Sequence, residues 1–538
     1  MGAEARKPDL IVGYPQGSPL VRDYLEAEKR AMAFYARHFA AMESYVEKAA
    51  EVDGRFDTRE RREEAARALI LPTGGDAQRL EEWIERGGYM VTTGQQPALF
   101  GGPLYNIYKA LTVVSLANTL ERALERPVLP VFWVGSEDHD WDEADHTVIL
   151  GADNEPHAFR LPHPDPEHAR SLHRIPMPEE VGLLRDEFLQ LLPSSDFSGP
   201  YIKLLHENFV PGRTLAEAFH GVMEALLGPR GLYFTDAAHP VVKLASQELL
   251  FQELERSREL EEVLARTGKA LTAAGYPHQV TLMEEGVNLF LEEDGRRQRI
   301  YRHGEGRFRL SGSETRLSGD EIRARAVADP AVLSPNVFLR PVVESHVFPT
   351  LAYVAGPGEA AYFAQIGDYF RAFAMEMPVV HPRFSVTVLE GKIRKVLVKF
   401  GLEVEDLHRP FHEIASEIAR EEVPPEVRQA LGALRGAVAD GVAAVQKEVQ
   451  AIDPTLKGPV QHVRSHAFDA INDLEKKVVH AVKRRSEIAL SQLEKAQHHL
   501  YPDGKPQERV LNPFYYLFRF GGAFLDALQE EFTVDVGS

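Results

Sequence analysis

Cysteine is absent from the 538 residues, so disulfides, thiolate-ligated zinc or iron–sulfur centres and thiolate nucleophiles are all excluded. No apolar run approaches the roughly 18 residues of a membrane span. The opening MGAEARKPDL puts charges where a signal peptide needs an apolar core, so a cytoplasmic protein with no membrane partner is the expectation. Met1 and Gly2 begin like a myristoylation signal, but Arg6 stands where Ser or Thr is required, which argues against lipidation. Positive charge is in deficit: 61 Lys and Arg against 81 Asp and Glu give −20. A nucleic-acid partner is therefore not expected, although a local basic pocket remains open.

What is present is the balance of an ordinary globular protein, 44% hydrophobic and 26% charged, long enough for roughly three to four domain-sized units. Residues 1–85 read as a helical lead-in, with Ser18 and Pro19 opening an amphipathic helix over 18–50. In GYMVTTGQQPALFGGPLYNIYKALTVVSLANTL a short apolar strand at 89–93 passes through a glycine-rich turn into a helix starting near Pro103. A second strand at 128–134 breaks into Gly135, Ser136 and a run of carboxylates, so the two strands flanking one helix predict a right-handed βαβ crossover. The alternation loosens at about 147–205, which reads as an insertion. It resumes with a helix at 213–227, a strand in GLYFTDAAHP and a long helix at 239–270. Short alternating runs at 278–317 predict a small antiparallel insertion. A strand at 350–354, a GPGE turn, a helix at 358–375 and a strand at 377–381 follow. The fold class is α/β: a Rossmann-like, doubly wound parallel core over 86–395 with two inserted connecting modules, whose ligand crevice lies beyond the carboxyl ends of the strands.

After about residue 396 the pattern becomes helical. Leu434, Val438, Val442, Val445, Val449, Ile452 and Leu456 recur at steps of three and four, and a second series runs from Val460 through Ile471 to Ala481. Asp453-Pro454 and Gly458-Pro459 interrupt the register. Residues 396–500 are therefore read as a helical domain containing an antiparallel coiled-coil hairpin. Its second helix, if continuous to Leu500, would be about 60 Å long, which suggests a homodimer through the coiled coil. The aromatic-rich segment 501–538 should pack back on the core.

Three elements could carry chemistry. After the first strand, Thr93, Gly94, Gln95 and Gln96 form a turn in which Gly94 admits backbone close to a ligand and the helix start near Pro103 offers free amides to an anion. Tyr105, Asn106 and Lys109 follow; a lysine in such a place is more commonly solvated. Second, the run Glu137 to His146 concentrates carboxylates and two histidines beyond a parallel strand, with Asp138, His139 and Asp140 as the catalytic candidates. Such crowding asks for a counter-cation, an ammonium group or Mg²⁺; the spacing of the two histidines disfavours zinc, and a metallohydrolase remains an alternative. Third come Asn336, Arg340, Glu344 and His346, with the turn Gly356, Pro357, Gly358 and Glu359, then Tyr362 and Gln365. Arg340 is a natural fork for carboxylate or phosphate, Glu359 a natural helix cap, and Arg383 after the last strand reaches the same rim or makes a surface ion pair. His157, His163, His168 and His173 are given no role.

The strings TGQQPALFGGPLYNIYK, PVFWVGSEDHDWDEADH, SPNVFLRPVVE, AYVAGPGEAAYFAQ and QERVLNPFYYL, in this order, resemble the BshC family, the cysteine-adding enzymes of bacillithiol biosynthesis. The resemblance spans nearly the whole chain and is weakest at about 150–210 and 278–330. It implies a Rossmann-like core with two connecting insertions, similar to class I aminoacyl-tRNA synthetases, and a coiled coil that promotes dimerisation. It implies a ligase joining the carboxyl group of cysteine to the amine of glucosaminyl-malate. ATP would activate the carboxylate as an adenylate or an acyl-phosphate, with Mg²⁺ possible. No HIGH or KMSKS string occurs; the TGQQ turn takes the first place, and Arg383, Ser385 and Lys392 fall about where the second would be. On this reading Gln95, Gln96 and the helix start hold nucleotide or carboxylate, Asp138 and Asp140 bind ammonium or Mg²⁺, and His139 is a phosphate ligand or general base. Another ATP-dependent amino-acid ligase or nucleotidyltransferase on the same scaffold is the alternative.

Overall fold

The computed structural model describes residues 7–72 and 77–537; Met1, Gly2 and Arg6, on which the lipidation reading rests, lie outside the described residues. The chain forms two compact units. One runs to Val388 and resumes at Glu508, and the other is Leu389–Gln507. The boundary drawn at 395 falls inside a helix, Gly391–Phe400.

The centre of the first unit is a sheet built from short apolar runs. β1 (Tyr89–Gln95), β2 (Val128–Val134), β3 (Tyr233–Asp236), β4 (Thr350–Ala355) and β5 (Val379–Pro382) pair in parallel in the order β5-β4-β1-β2-β3. All seven residues of β2 and all six of β4 are buried, as a sheet covered on both faces requires. Read from β3, the order is 3-2-1-4-5, that of a Rossmann sheet, with its topological switch between β1 and β4. β1 leads through Phe100, Gly101 and Gly102, all with positive φ, into α1 (Tyr105–Leu124). Gly102 has to be glycine, because a Cβ there would lie 2.7 Å from Ala98 Cβ and from Asn106 Nδ2. α1 is buried almost all round, and Asn512 of the C-terminal segment donates to Phe100 O and Gly102 O at 2.9 and 3.1 Å, fixing the loop ahead of it.

Several expected helices are broken. The single helix read over 18–50 is three, Pro19–Leu25, Lys29–Met32 and Met42–Asp53, with Ala27 at φ 55° after the first. The helix expected at 239–270 is Pro240–Glu255 and Ser257–Ala273, broken at Arg256, whose φ and ψ of −97° and 14° are not helical. That expected at 358–375 is α2 (Pro357–Phe363) and Gly367–Ala372, with Ile366 out of helical geometry between them. The loose segment near 147–205 holds the antiparallel pair His146–Leu150 and Pro156–Arg160 and the helices Glu180–Leu191 and Ser198–Asn208. The second insertion is a five-stranded sheet that adds Leu333–Pro335 to the meander Gly286–Glu293, Arg296–Arg302, Arg307–Leu310 and Arg316–Ser318, so it extends past 317.

The second unit is helical. α3 (Pro425–Ile452) and α4 (Lys457–Arg485) form a hairpin about Asp453–Leu456. α4 is not continuous with Glu487–Leu500: Ser486 leaves helical geometry, so α4 is about 40 Å long rather than 60 Å. A small core of Ile393, Leu397, Leu407, Ile414, Leu493 and Leu500 closes the base of this unit. Among the described residues no helix is long and apolar enough to cross a membrane.

Candidate active site

A cavity of about 530 Å³ opens at the carboxyl ends of β1, β2 and β4, where a ligand is expected in such a sheet. Gly94, Gln95, Gln96, Lys109, Asp138, His139, Arg340, Gly356, Gly358, Glu359, Tyr362 and Arg383 all line it. These residues come from separate stretches of sequence, and the sheet brings them together.

The floor consists of paired charges. Lys109 is fully buried: its ammonium donates to Gly94 O at 2.6 Å and Gln95 Oε1 at 3.2 Å and pairs with Glu359 at 2.7 Å. Burial lowers the pKa of Lys109, although Glu359 opposes the shift. Glu359 also accepts from Tyr353 Oη at 2.6 Å and from the Gly356 amide at 2.8 Å. Burial alone would raise the Glu359 pKa, but Lys109 and these donors outweigh it and hold the carboxyl below its ordinary value. Arg340 pairs with Glu344 at 2.8 Å and donates to Tyr362 Oη at 3.0 Å. Thr92 donates to the other oxygen of Glu344, whose pKa burial raises. Arg383 makes a bidentate pair with Glu508 at 2.8 and 3.0 Å, both side chains almost wholly buried. The three cations proposed for anion binding are thus each neutralised by a carboxylate. Lys109 is a clamp within the site, and Arg383 makes an interior ion pair.

The acid–histidine loop supplies the opposite wall. Asp138 accepts from the His139 amide at 2.7 Å, the Asp140 amide at 3.3 Å and Gln96 Nε2. Burial pushes its pKa up, but Arg297, Gln96 and the His139 amide together hold it well below the usual carboxylate range. Arg297 is one of the cavity residues that reading the sequence missed. Its guanidinium lies 3.8 Å from the Phe290 ring centroid, donates to Ser334 Oγ and Pro335 O, and donates to His139 Nδ1 at 3.1 Å. Arginine is always a donor, so Nδ1 accepts and the ring proton sits on Nε2. Asp138 Oδ1 is a competing partner for Nδ1 at 3.4 Å, but the longer contact goes to an oxygen that two amides already fill. In this tautomer His139 presents its Nε2–H as a donor while Nδ1 is engaged by Arg297. The carboxylates crowd one another at the mouth: burial first, then Asp140 and Asp138, raise the pKa of Glu143, another cavity residue. Glu137, also in the lining, is neutralised by Lys243.

Several predicted residues do not line the cavity. Thr93 donates to Val354 O at 2.7 Å between β1 and β4. Asn106 donates to Gly101 O at 3.0 Å and braces the turn. Gln365 accepts from the Gln279 and Val280 amides. Asp140 caps the short helix Trp141–Ala144 through the Glu143 amide. The helix start also offers less than expected, because Leu104 N–H donates to Leu511 O and Asn106 N–H to Pro103 O. His346 lies outside the lining, while Asn336, Tyr105, Trp133, Phe290, Arg299 and Arg509 join it. Among the described residues no three His, Asp or Glu side chains converge as a metal-ligand set.

Residues 10–384 match the family model for the BshC N-terminal Rossmann-like domain of bacillithiol biosynthesis, and residues 386–535 that for its C-terminal coiled-coil domain. The chain belongs to the BshC family, a family of ligases. It is 32% identical over 534 residues to a protein of Salinibacter ruber, covering 99% of this chain and 95% of the relative. It is 34% identical over 513 residues to one of Heliobacterium modesticaldum, covering 94% and 92%. A third relative, from Desulforamulus reducens, is 32% identical over 442 residues, covering 82% and 81%. Each relative is named "Putative cysteine ligase BshC".

Proposed function

We propose that the protein forms the amide bond between the carboxyl group of cysteine and the amine of glucosaminyl-malate, giving bacillithiol, with ATP activating the carboxylate in the cytoplasm. The observation that carries this reading is the juxtaposition of an ionised Asp138 with the donor side of His139 and the Arg297 guanidinium at the switch point of the sheet. An amino acid at this wall would set its ammonium group on Asp138 and its carboxylate toward His139 Nε2–H, since each group meets its complement. Gln95 and Gln96 complete a polar edge for the second substrate. A free carboxylate and an amine do not condense favourably in water, so the carboxylate must be converted to an adenylate or an acyl-phosphate before the amine attacks. Among the described residues the paired floor leaves Arg299 and Arg509 as the cavity cations with no carboxylate partner, and these suit the phosphates best. Magnesium enters the reading only as the counter-ion of the nucleotide.

A second copy of the chain would cover the hairpin in unit two: Leu434, Val445, Val463 and Leu474 are 43%, 51%, 61% and 46% exposed within one copy, an apolar stripe suited to a coiled-coil homodimer.

The test is mass spectrometry of purified protein with glucosaminyl-malate, cysteine, ATP and Mg²⁺, each omitted in turn. A bacillithiol mass that needs every component, with AMP or ADP identifying the activated intermediate, supports the reading. ATP consumption with another amino acid and none with cysteine would move the assignment to a different ligase on the same scaffold.

A further inference from the structure

The antiparallel module carries a second feature beside the cavity. Its buried face is Leu289, Leu291, Ile300, Phe308, Leu310 and Leu317. The residues between these point the other way, and the pairing register sets them in rows: Phe290 opposite Arg299, Tyr301 opposite Arg309, and Arg309 opposite Arg316. The guanidinium of Arg299 lies 4.8 Å from the Phe290 ring centroid, whose other neighbour is Arg297, and that of Arg309 lies 4.4 Å from the Tyr301 ring centroid.

None of Arg299, Arg309 and Arg316 has a carboxylate within ion-pair distance among the described residues, whereas Arg30, Arg37, Arg55, Arg61, Arg126, Arg340 and Arg383 of the same unit each do. Glu292, an acid on this face, is taken by Arg174 at 3.3 Å and Ser171 at 3.3 Å. Like charges directly opposite on neighbouring strands are destabilising. In a chain of net charge −20, counter-charges would be easy to place beside them. Cations left unpaired in a row, with two held flat on aromatic rings, are instead arranged to receive an anion. Arg299 also lines the cavity, so the row and the candidate active site are continuous.

We propose that Arg299, Arg309 and Arg316 form a binding track for a multiply charged anion, running across the open face of the antiparallel module into the cavity beside Arg297. The phosphate chain of a nucleotide and a dicarboxylate such as malate share this chemistry. The guanidinium forks take oxygen pairs from either, and a second charge distinguishes both from a simple amino acid. The nucleotide reading of the track rests on the phosphate role given to Arg299 above, and binding measured without turnover separates its failure from that of amide formation.

The test is calorimetric titration of the full chain with ATP without added metal, and separately with malate, at low and high salt. Wild type is compared with Arg299→Gln, with the double variant Arg309→Gln/Arg316→Gln, and with Arg122→Gln, which removes the same charge near the far end of α1. Circular dichroism checks that each variant is folded, and the double variant, at half-buried Arg309 and exposed Arg316, keeps the test valid if Arg299→Gln is not. The track predicts affinity at least about fivefold weaker for the track variants at low ionic strength, a gap that narrows with salt, and no change for Arg122→Gln. A loss for ATP alone identifies phosphate, a loss for malate alone identifies the dicarboxylate, and a loss for both shows one shared site. Equal affinity of wild type and track variants, the same loss in Arg122→Gln, or no binding of either probe to the wild type overturns the proposal.

Discussion

Replacing Lys109 by Met tests whether this lysine is an internal clamp. The ammonium is almost inaccessible and holds Gly94 O, Gln95 Oε1 and Glu359 together. Methionine keeps most of the length of the side chain and removes the charge, leaving Glu359 with only the Tyr353 hydroxyl and the Gly356 amide as donors. Removing one partner of a buried pair costs about 3–5 kcal/mol, because the other charge stays in a low dielectric. The two remaining donors set the expectation at the lower end, about 3 kcal/mol. The pH dependence is signed. In the wild type, Glu359 is held below its unfolded pKa, so its contribution is present above that value and is lost as pH falls. In Lys109→Met, desolvation prevails, the carboxyl rises above its unfolded pKa, and the penalty is largest at alkaline pH and relieved as the group protonates. The stability gap between wild type and variant should therefore narrow from pH 8 to pH 5. Denaturant unfolding followed by tryptophan fluorescence measures it, because Trp83, Trp133 and Trp141 all belong to the unit that holds the sheet. The double variant Lys109→Met/Glu359→Gln should be more stable than the two single costs predict, by about 2 kcal/mol. A cost under about 1 kcal/mol, a gap independent of pH, or strict additivity would refute the clamp.

Glu253 is buried with no ion pair among the described residues, and desolvation pushes its pKa up to about 7 despite bonds from Tyr369 and the Asn288 amide. The folded protein keeps that proton longer than the unfolded chain, so stability should fall by about 3 kcal/mol as pH rises from 4.5 through 7. Glu253→Gln should flatten the slope in Tm measured against pH. Glu508→Ala leaves Arg383 buried and unpaired and should cost about 3–5 kcal/mol in urea unfolding; a neutral result would mean that solvent reaches the guanidinium. Deleting the hairpin from Pro425 to Arg485 should halve the sedimenting mass beyond the loss of the residues themselves, and a dimer that survives the deletion would contradict the coiled-coil interface. His139→Ala should lower turnover at least tenfold while leaving Tm within about 1 °C, since the ring is partly exposed; unchanged turnover would remove it from the mechanism.

The amino-acid pattern alone was enough to read the sheet and the hairpin, because both depend on local periodicity. β2 is seven consecutive buried residues ending at Val134, and the steps of three and four in α3 and α4 show as a stripe whatever surrounds them. Asp138 and His139 were legible because carboxylates crowded beyond a parallel strand are costly unless something is bound there. Arg297 was not: it lies about 160 residues from His139 in an arginine-rich strand, and alternation says which residues share a face without saying what that face meets. Thr93, Asn106 and Gln365 went the other way, chosen for their nearness to motifs along the chain although their side chains close turns and strand pairs. Lys109 and Arg383 read as candidate ligand cations, yet only the folded chain could bring Glu359 and Glu508 against them. The sequence by itself determined the parallel strands, the coiled-coil hairpin, their order along the chain and the absence of thiol chemistry, since these follow from residue type and short-range spacing. Which charges neutralise one another and which stay open to a ligand was decided by tertiary structure, because ion pairing depends on distances of a few ångströms between residues hundreds of positions apart.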